Sequence, residues 1–243
     1  MQAVILAGGA GTRLRPLTYE IPKPMIDVNG KPFLQYIVEW FKKYGVSDFV
    51  FCVGYLADKF KEYFGDGSKL GVRIRYSIEE QFLGTAGAVK LAEDLLEEEF
   101  FVANGDTFLP VDIDDVREQF KKSKKAGLMV VYDNKEKAAE NNITVDENGL
   151  VSAYGKKEQL KKGDQLININ SDKSANYQFV DAGLYMFKKD LFKTMEKDKF
   201  VSLEADVYPE LIKSKQLFAY KTSIRYYDLG TQDRLELIRR VFK

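Results

Sequence analysis

The sequence predicts an α/β fold: a mixed, mostly parallel central sheet flanked by helices, with a small β-rich insertion in its second half. Two observations predict it. Up to residue 125, short apolar runs alternate with segments of helical period, and that β-α order gives mainly parallel strands covered on both faces. Beyond it the pattern gives way to short alternating stretches around Asn148-Gly149, a dipeptide that favours a hairpin turn. No Pro/Ser/Gly-rich linker or internal repeat interrupts the 243 residues, so a single domain over 1–243 is the simplest division.

The elements follow in order. Residues 3–6 form a short buried strand that ends in a glycine-rich turn. A helix spans 32–44: Phe33, Ile37, Trp40 and Tyr44 recur at spacings of three and four, Pro32 suits the first turn and Gly45 the end. The helical spacing of Phe33, Tyr36, Trp40 and Phe41 favours the core for that aromatic stripe, with a dimer face as the alternative if it is partly exposed. A strand covers 48–53, and Leu56, Phe60, Tyr63 and Phe64 mark a second helix. Val72, Ile74, Tyr76 and Ile78 alternate with polar residues and give a half-exposed strand. Next come a helix over 85–97, a buried strand over 100–103 and a helix over 112–125. A hairpin pairs 142–146 with 150–154, and 156–178 reads as a polar loop. Strands at 183–187 and 217–220, a helix near 204–213 and an amphipathic helix at 231–242 complete the chain.

Composition narrows the chemistry. Apolar residues make up 45% and charged residues 30%, which fits a globular chain. Lys plus Arg and Asp plus Glu both number 37, and zero net charge argues against a nucleic-acid or membrane binder. No basic leader and no apolar run near the roughly 20 residues of a membrane span is visible, so a soluble, cytoplasmic protein is expected. The single cysteine, Cys52, lies in an apolar strand, and one thiol excludes an internal disulfide and a multi-cysteine zinc site. There is no histidine, which excludes Ser-His-Asp, Cys-His and His-ligated metal mechanisms. Carboxylates, amines, guanidinium groups, hydroxyls and backbone remain.

The strongest local signal is Leu6-Ala7-Gly8-Gly9-Ala10-Gly11-Thr12-Arg13-Leu14, directly after a strand. Its glycines let backbone N–H groups approach a phosphate or a nucleobase edge, although glycines alone fit a plain tight turn equally well. No Gly-Lys-Ser/Thr follows, so it is not a P-loop, and Leu14 stands where the dinucleotide fingerprint needs its third glycine. Arg13 adds a planar guanidinium suited to bidentate phosphate contact. Lys23 lies between Pro22 and Pro24 on stiffened backbone. Asp106 follows one buried strand and Asp228 a second strand end, where ligands of parallel sheets sit. Two such carboxylates make a plausible Mg²⁺ site.

Taken together, these residues resemble the sugar-nucleotidyltransferase (nucleotide-sugar pyrophosphorylase) family. The matching segments are residues 6–14, Pro22-Lys-Pro-Met25, Leu83-Gly-Thr-Ala-Gly-Ala88, Asn104-Gly-Asp106, Asp181-Ala-Gly-Leu-Tyr185, Ser202-Leu-Glu204 and Asp228-Leu-Gly-Thr231. They stand in the family's order along nearly the whole chain. Within the family the chain most resembles enzymes that charge heptose or mannose 1-phosphate with GTP. Uridylyltransferases for amino-sugar 1-phosphates look almost as similar, and cytidylyltransferases for non-sugar phosphates share the first motifs.

The resemblance implies a Rossmann-like nucleotidyltransferase fold, a nucleotide-binding half over 1–130 and a sugar-phosphate-binding half over 131–243. It implies that NTP and sugar 1-phosphate yield NDP-sugar and pyrophosphate, with Mg²⁺ as cofactor and a monomer or homodimer as the working unit. It gives Arg13 and Lys23 catalytic roles on the phosphates, and Asp106 and Asp228 the metal. Leu6, Ala7, Gly8, Gly9, Gly11 and Thr12 are implied to bind nucleotide, with Gln81, Gly84 and Thr85 near the base. On the acceptor side it implies Asn104, Lys157, Asp181, Gly183 and Glu204. Two positions depart from the pattern and leave the acceptor's identity open. Lys156 stands where relatives carry glutamate, and Asp181 replaces a common asparagine.

Overall fold

The computed structural model describes residues 1–137, 139–155, 159–162, 165–168 and 176–242. Among them, seven strands form one central sheet: β1 (Gln2–Leu6), β2 (Asp48–Val53), β3 (Arg73–Ile78), β4 (Glu99–Asn104), β5 (Gly127–Tyr132), β6 (Val180–Lys188) and β7 (Leu217–Thr222). Their spatial order is β7-β5-β6-β4-β1-β2-β3. β1 runs parallel to β2 and β4, β2 to β3, and β7 to β5, while β6 is antiparallel to both of its neighbours. The expected mixed, mostly parallel sheet is therefore present.

Alternation along the strands divides the core into two layers. In β1, Ala3 and Ile5 face one layer and Val4 the other. Helices α1 (Phe33–Lys43), α2 (Ala57–Phe64), α4 (Ile113–Ser123) and α6 (Gln232–Val241) cover the first layer with Phe33, Phe41, Phe60, Phe120 and Ile238. Helices α3 (Gly84–Leu91) and α5 (Tyr208–Lys213) cover the second, with Ala86, Val89, Tyr208 and Leu211. The aromatic stripe on α1 packs into the first layer with two rings buried and two half-buried. Phe33 and Phe41 are buried, Tyr36 and Trp40 pack against the same cluster, and Tyr36 stacks on Phe242 with centroids 4.8 Å apart.

Four elements differ from the sequence expectation. No alternation in the sequence marks β5, whose six residues are all buried between β7 and β6. A strand covered on both faces loses the two-residue alternation that identifies half-exposed strands. The helix expected over 85–97 stops at Leu91 and is followed by a 3-10 turn at Glu93–Leu95. The helix expected near 204–213 opens as a π-helical turn, Leu203–Val207, before α5. Pro209 in the first turn of α5 has no N–H to donate, which suits a widened turn there. Within the loop expected over 156–178, the backbone of Gln159–Lys162 pairs antiparallel with Gln165–Asn168. The hairpin around Asn148-Gly149 forms as expected, from Ile143–Val145 and Val151–Tyr154. Among the described residues, no helix is long and apolar enough to cross a membrane.

Candidate active site

Strand register builds the floor of the site. Leu6 in β1 lies opposite Cys52 in β2 and Asn104 in β4, so three carboxyl ends finish on one level. A cavity of about 340 Å³ opens above that row, where ligands of parallel sheets bind. The glycine loop leaves β1 and is fixed to its neighbour: Ala7 N donates to Cys52 O (2.8 Å) and Tyr55 N to Gly8 O (3.3 Å). Arg13 stands exposed on the 3-10 turn Thr12–Leu14 and lines the cavity. Lys23 opens the turn Lys23–Met25, closed by Met25 N to Pro22 O at 2.8 Å. It is buried, and its Nζ donates to Asp106 Oδ2. Asp106 Oδ1 accepts from Thr107 Oγ1 (3.0 Å). Burial works to raise the Asp106 pKa, but the Lys23 ammonium, the Thr107 hydroxyl and the Arg13 guanidinium outweigh it and hold the carboxyl below its ordinary value.

Glu79 bounds the opposite wall. It follows β3, its N–H donates to Val53 O (2.9 Å), and its Oε2 accepts from Leu83 N (3.1 Å). A Cβ on Gly8 would overlap Glu79 Oε1, so only glycine there lets the carboxylate lie against the loop. Burial raises the Glu79 pKa, only partly offset by the Leu83 N–H. Phe82 is 57% exposed at the cavity mouth, tilted against Phe200 with centroids 5.7 Å apart. Thr85 and Glu204 close the far side, joined by Thr85 Oγ1 donating to Glu204 Oε2 (2.8 Å).

The nucleotidyl transferase family model matches residues 2–240, nearly the whole chain. The chain belongs to that family. D-glycero-alpha-D-manno-heptose 1-phosphate guanylyltransferase of Campylobacter jejuni is 35% identical over 204 residues, which cover 84% of this chain and 83% of that protein. Mannose-1-phosphate guanyltransferase beta-B of Xenopus laevis is 32% identical over 95% of this chain, which spans 61% of that protein's length. The crystal structure of HddC from Yersinia pseudotuberculosis, complexed with GMP-PN, superposes with a TM-score of 0.77 at 27% identity, covering 100% of this chain and 99% of that one.

The transferase brings most of the residues singled out in its sequence to this one cavity. Leu6, Ala7, Gly8, Gly9, Gly11, Thr12, Arg13, Lys23, Gly84, Thr85, Asn104, Asp106 and Glu204 all line it. Gln81 does not line it and is exposed on the loop before α3. Asp181 does not line it either. Its carboxylate accepts from Tyr185 Oη (2.8 Å to each oxygen) and from Gly183 N (3.0 Å). Gly183 lies behind Asn104, where a Cβ would meet Asn104 Nδ2 at 2.9 Å. Lys156 and Lys157 lie outside the described residues. Sequence reasoning missed Pro24, Cys52, Glu79, Phe82 and Ala88. Glu79 had a signal: it directly follows the alternating run that ends at Ile78, at a strand's carboxyl end beside a glycine-led helix. Cys52 is buried, as its apolar neighbours predict.

The two aspartates expected at a metal meet through the backbone. Thr107–Phe108 pairs antiparallel with Tyr227–Asp228, and Leu229 N donates to Asp106 O (2.9 Å). Their carboxylates take different cationic partners, Lys23 for Asp106 and Arg234 for Asp228. Asp228 lines a separate, small cavity and accepts from Arg234 Nη1, at 2.6 Å to its Oδ1. No cluster of three or more acidic or thiol ligands occurs among the described residues. Two carboxylates with only oxygen donors nevertheless suit Mg²⁺, which takes one or two carboxylates and completes its shell from phosphates and water.

Proposed function

We propose that the protein transfers a guanylyl group from GTP to the 1-phosphate of a manno-configured heptose or hexose, giving GDP-sugar and pyrophosphate. The observation that carries this reading is the meeting of Arg13, Lys23 and Asp106 above the register row Leu6–Cys52–Asn104. A sugar phosphate is already ionised at neutral pH, so attack on the α-phosphorus needs no general base. The absence of histidine is no obstacle to that chemistry. What the reaction requires is alignment of two anions and neutralisation of charge. Arg13 is suited to the β- and γ-phosphates and the departing pyrophosphate. Lys23, held in place by Asp106, is suited to the α-phosphate. Asp106 and Asp228 would hold Mg²⁺, which when bound neutralises phosphate charge. The N–H groups of the glycine loop would meet the nucleoside.

Glu79 supports guanine. Guanine presents N1–H and N2–H side by side, a pair of donors that one carboxylate accepts. Adenine and cytosine place a lone pair beside their amino group, and uracil offers a single N–H between two carbonyls. The relatives reported above, both named as guanylyl- or guanyltransferases, support the same base. On the acceptor side, Glu204 offers its carboxylate to sugar hydroxyls. Replacement of Asp106 by asparagine is expected to cut pyrophosphate release from GTP and mannose 1-phosphate by about 100-fold or more, through loss of fixed charge at the phosphates. Full activity of Asp106→Asn would contradict the role given to this carboxylate.

A further inference from the structure

Residues on the nucleotide side of the cavity and residues on the acceptor side are hydrogen-bonded into one unit. Val201 N donates to Leu83 O (2.9 Å), while Ala86 N and Gly87 N donate to Val201 O (3.0 and 2.9 Å). That approach leaves no room for side chains: a Cβ on Gly84 (φ +75°) would lie 2.6 Å from Val201 O. Thr85 completes the join. Its Oγ1 accepts from Leu203 N (2.7 Å) and donates to Glu204 Oε2 (2.8 Å). Ser202 Oγ donates to the same Oε2 (2.8 Å) while accepting from Glu204 N and Ala205 N (each 3.1 Å).

We propose that Thr85 is a positioning residue for the acceptor: it acts through Glu204 and not by contact with the nucleobase. This rests on the functional reading above, in which Glu204 meets sugar hydroxyls. A hydroxyl has one proton to give, and that of Thr85 is directed to Glu204 while a lone pair serves Leu203 N. Reading a base with that proton would break the bond to the carboxylate. Two hydroxyls on one oxygen fix the plane of the Glu204 carboxylate, and the branched threonine side chain holds few rotamers, so the geometry is set before a ligand arrives.

Steady-state pyrophosphate release tests the assignment on the full chain, with GTP and with mannose 1-phosphate or D-glycero-α-D-manno-heptose 1-phosphate as acceptor. Thr85→Val is expected to raise the acceptor KM about tenfold and to change the KM for GTP less than about twofold, as for loss of one charge-assisted hydrogen bond. Thr85→Ser is expected to restore the acceptor KM to within about threefold of wild type, since the hydroxyl is retained. Ser202→Ala strips the other hydroxyl from Oε2 and is expected to follow Thr85→Val. In a Glu204→Gln background, Thr85→Val is expected to add less than about twofold, because the two residues act as one unit. GTP binding by calorimetry checks that each variant is folded. A rise in the KM for GTP equal to that for the acceptor, or full additivity with Glu204→Gln, would overturn the positioning role and leave the transfer reaction standing. A folded wild type that binds GTP but releases no pyrophosphate with either acceptor would instead overturn the functional reading, and this inference with it.

Discussion

At the scale of the residue, Glu79 carries the most specific consequence. Its carboxylate lies against Gly8 and is anchored at Oε2 by Leu83 N. Replacement by glutamine keeps the shape and loses the charge, so the KM for GTP is expected to rise about 10–100-fold, as for a lost pair of charge-assisted bonds. Titration should give the same answer. Burial raises the Glu79 pKa from the ordinary 4.5, so on acidification the group takes up its proton earlier than an exposed glutamate would. The protonated form is the poorer acceptor. GTP binding in the wild type should therefore weaken while ordinary carboxylates are still ionised, and Glu79→Gln should not show that step. Running both proteins over one pH series cancels the titration of the nucleotide's own phosphate. Parallel profiles would remove Glu79 from base recognition. Arg13, Lys23 and Asp106 were legible in the sequence because each stands beside a glycine, a proline or a strand end. Glu79 was less legible, because a glutamate after an alternating strand reads equally well as a solvated end.

At the scale of the element, the start of α3 decides whether the site assembles. Gly84 has φ +75° and faces Val201 O, and Gly87 faces Lys199 O, each leaving 2.6 Å for a Cβ. Gly84→Ala combines a strained backbone with a backbone clash and is expected to cost about 2–4 kcal/mol, measurable by urea unfolding, with loss of transfer activity. Unchanged stability would mean that the segment 199–201 does not pack there. Strands and helices with a clear period were legible, as in α1 and β3. β5 was not, since a strand buried on both faces shows no alternation. The helix that opens at Leu203 was seen only in part, because its first turn departs from the 3.6-residue period. Asp181 and Asp228 illustrate a different limit. The sequence marks both positions, but Tyr185 and Arg234, the partners their carboxylates take, are found only in three dimensions.

At the scale of the molecule, one sheet carries the site at its carboxyl edge and a tied knot of charge at the opposite edge. Asp48 opens β2 and is buried. It accepts from Gln2 Nε2 (2.9 Å), from Arg73 Nε and Nη2 (3.1 and 2.9 Å) and from Arg75 Nη2 (2.8 Å), so three adjacent strands are joined. Burial works to raise the Asp48 pKa, but the hydrogen bonds from Arg73 and Gln2 and the charge of Arg75 outweigh it and hold the value low. A depressed carboxylate contributes stability above its unfolded pKa of about 4 and loses it as pH falls through the folded value. Asp48→Asn is expected to cost about 1–3 kcal/mol at neutral pH, with the gap to wild type closing in acid. A gap that stays constant with pH would contradict the ionic role. Both edges serve the same end, since the register that brings Leu6, Cys52 and Asn104 level begins at Gln2 and Asp48. The proposed guanylyl transfer takes place above that row. Its most direct measurement is mass spectrometry of the products formed by the full chain with Mg²⁺, all common NTPs and a panel of heptose, hexose and amino-sugar 1-phosphates. One new GDP-sugar and an equal amount of pyrophosphate are expected. A UDP- or CDP-linked product, or intact NTPs with folded protein across the whole panel, would contradict guanylyl transfer.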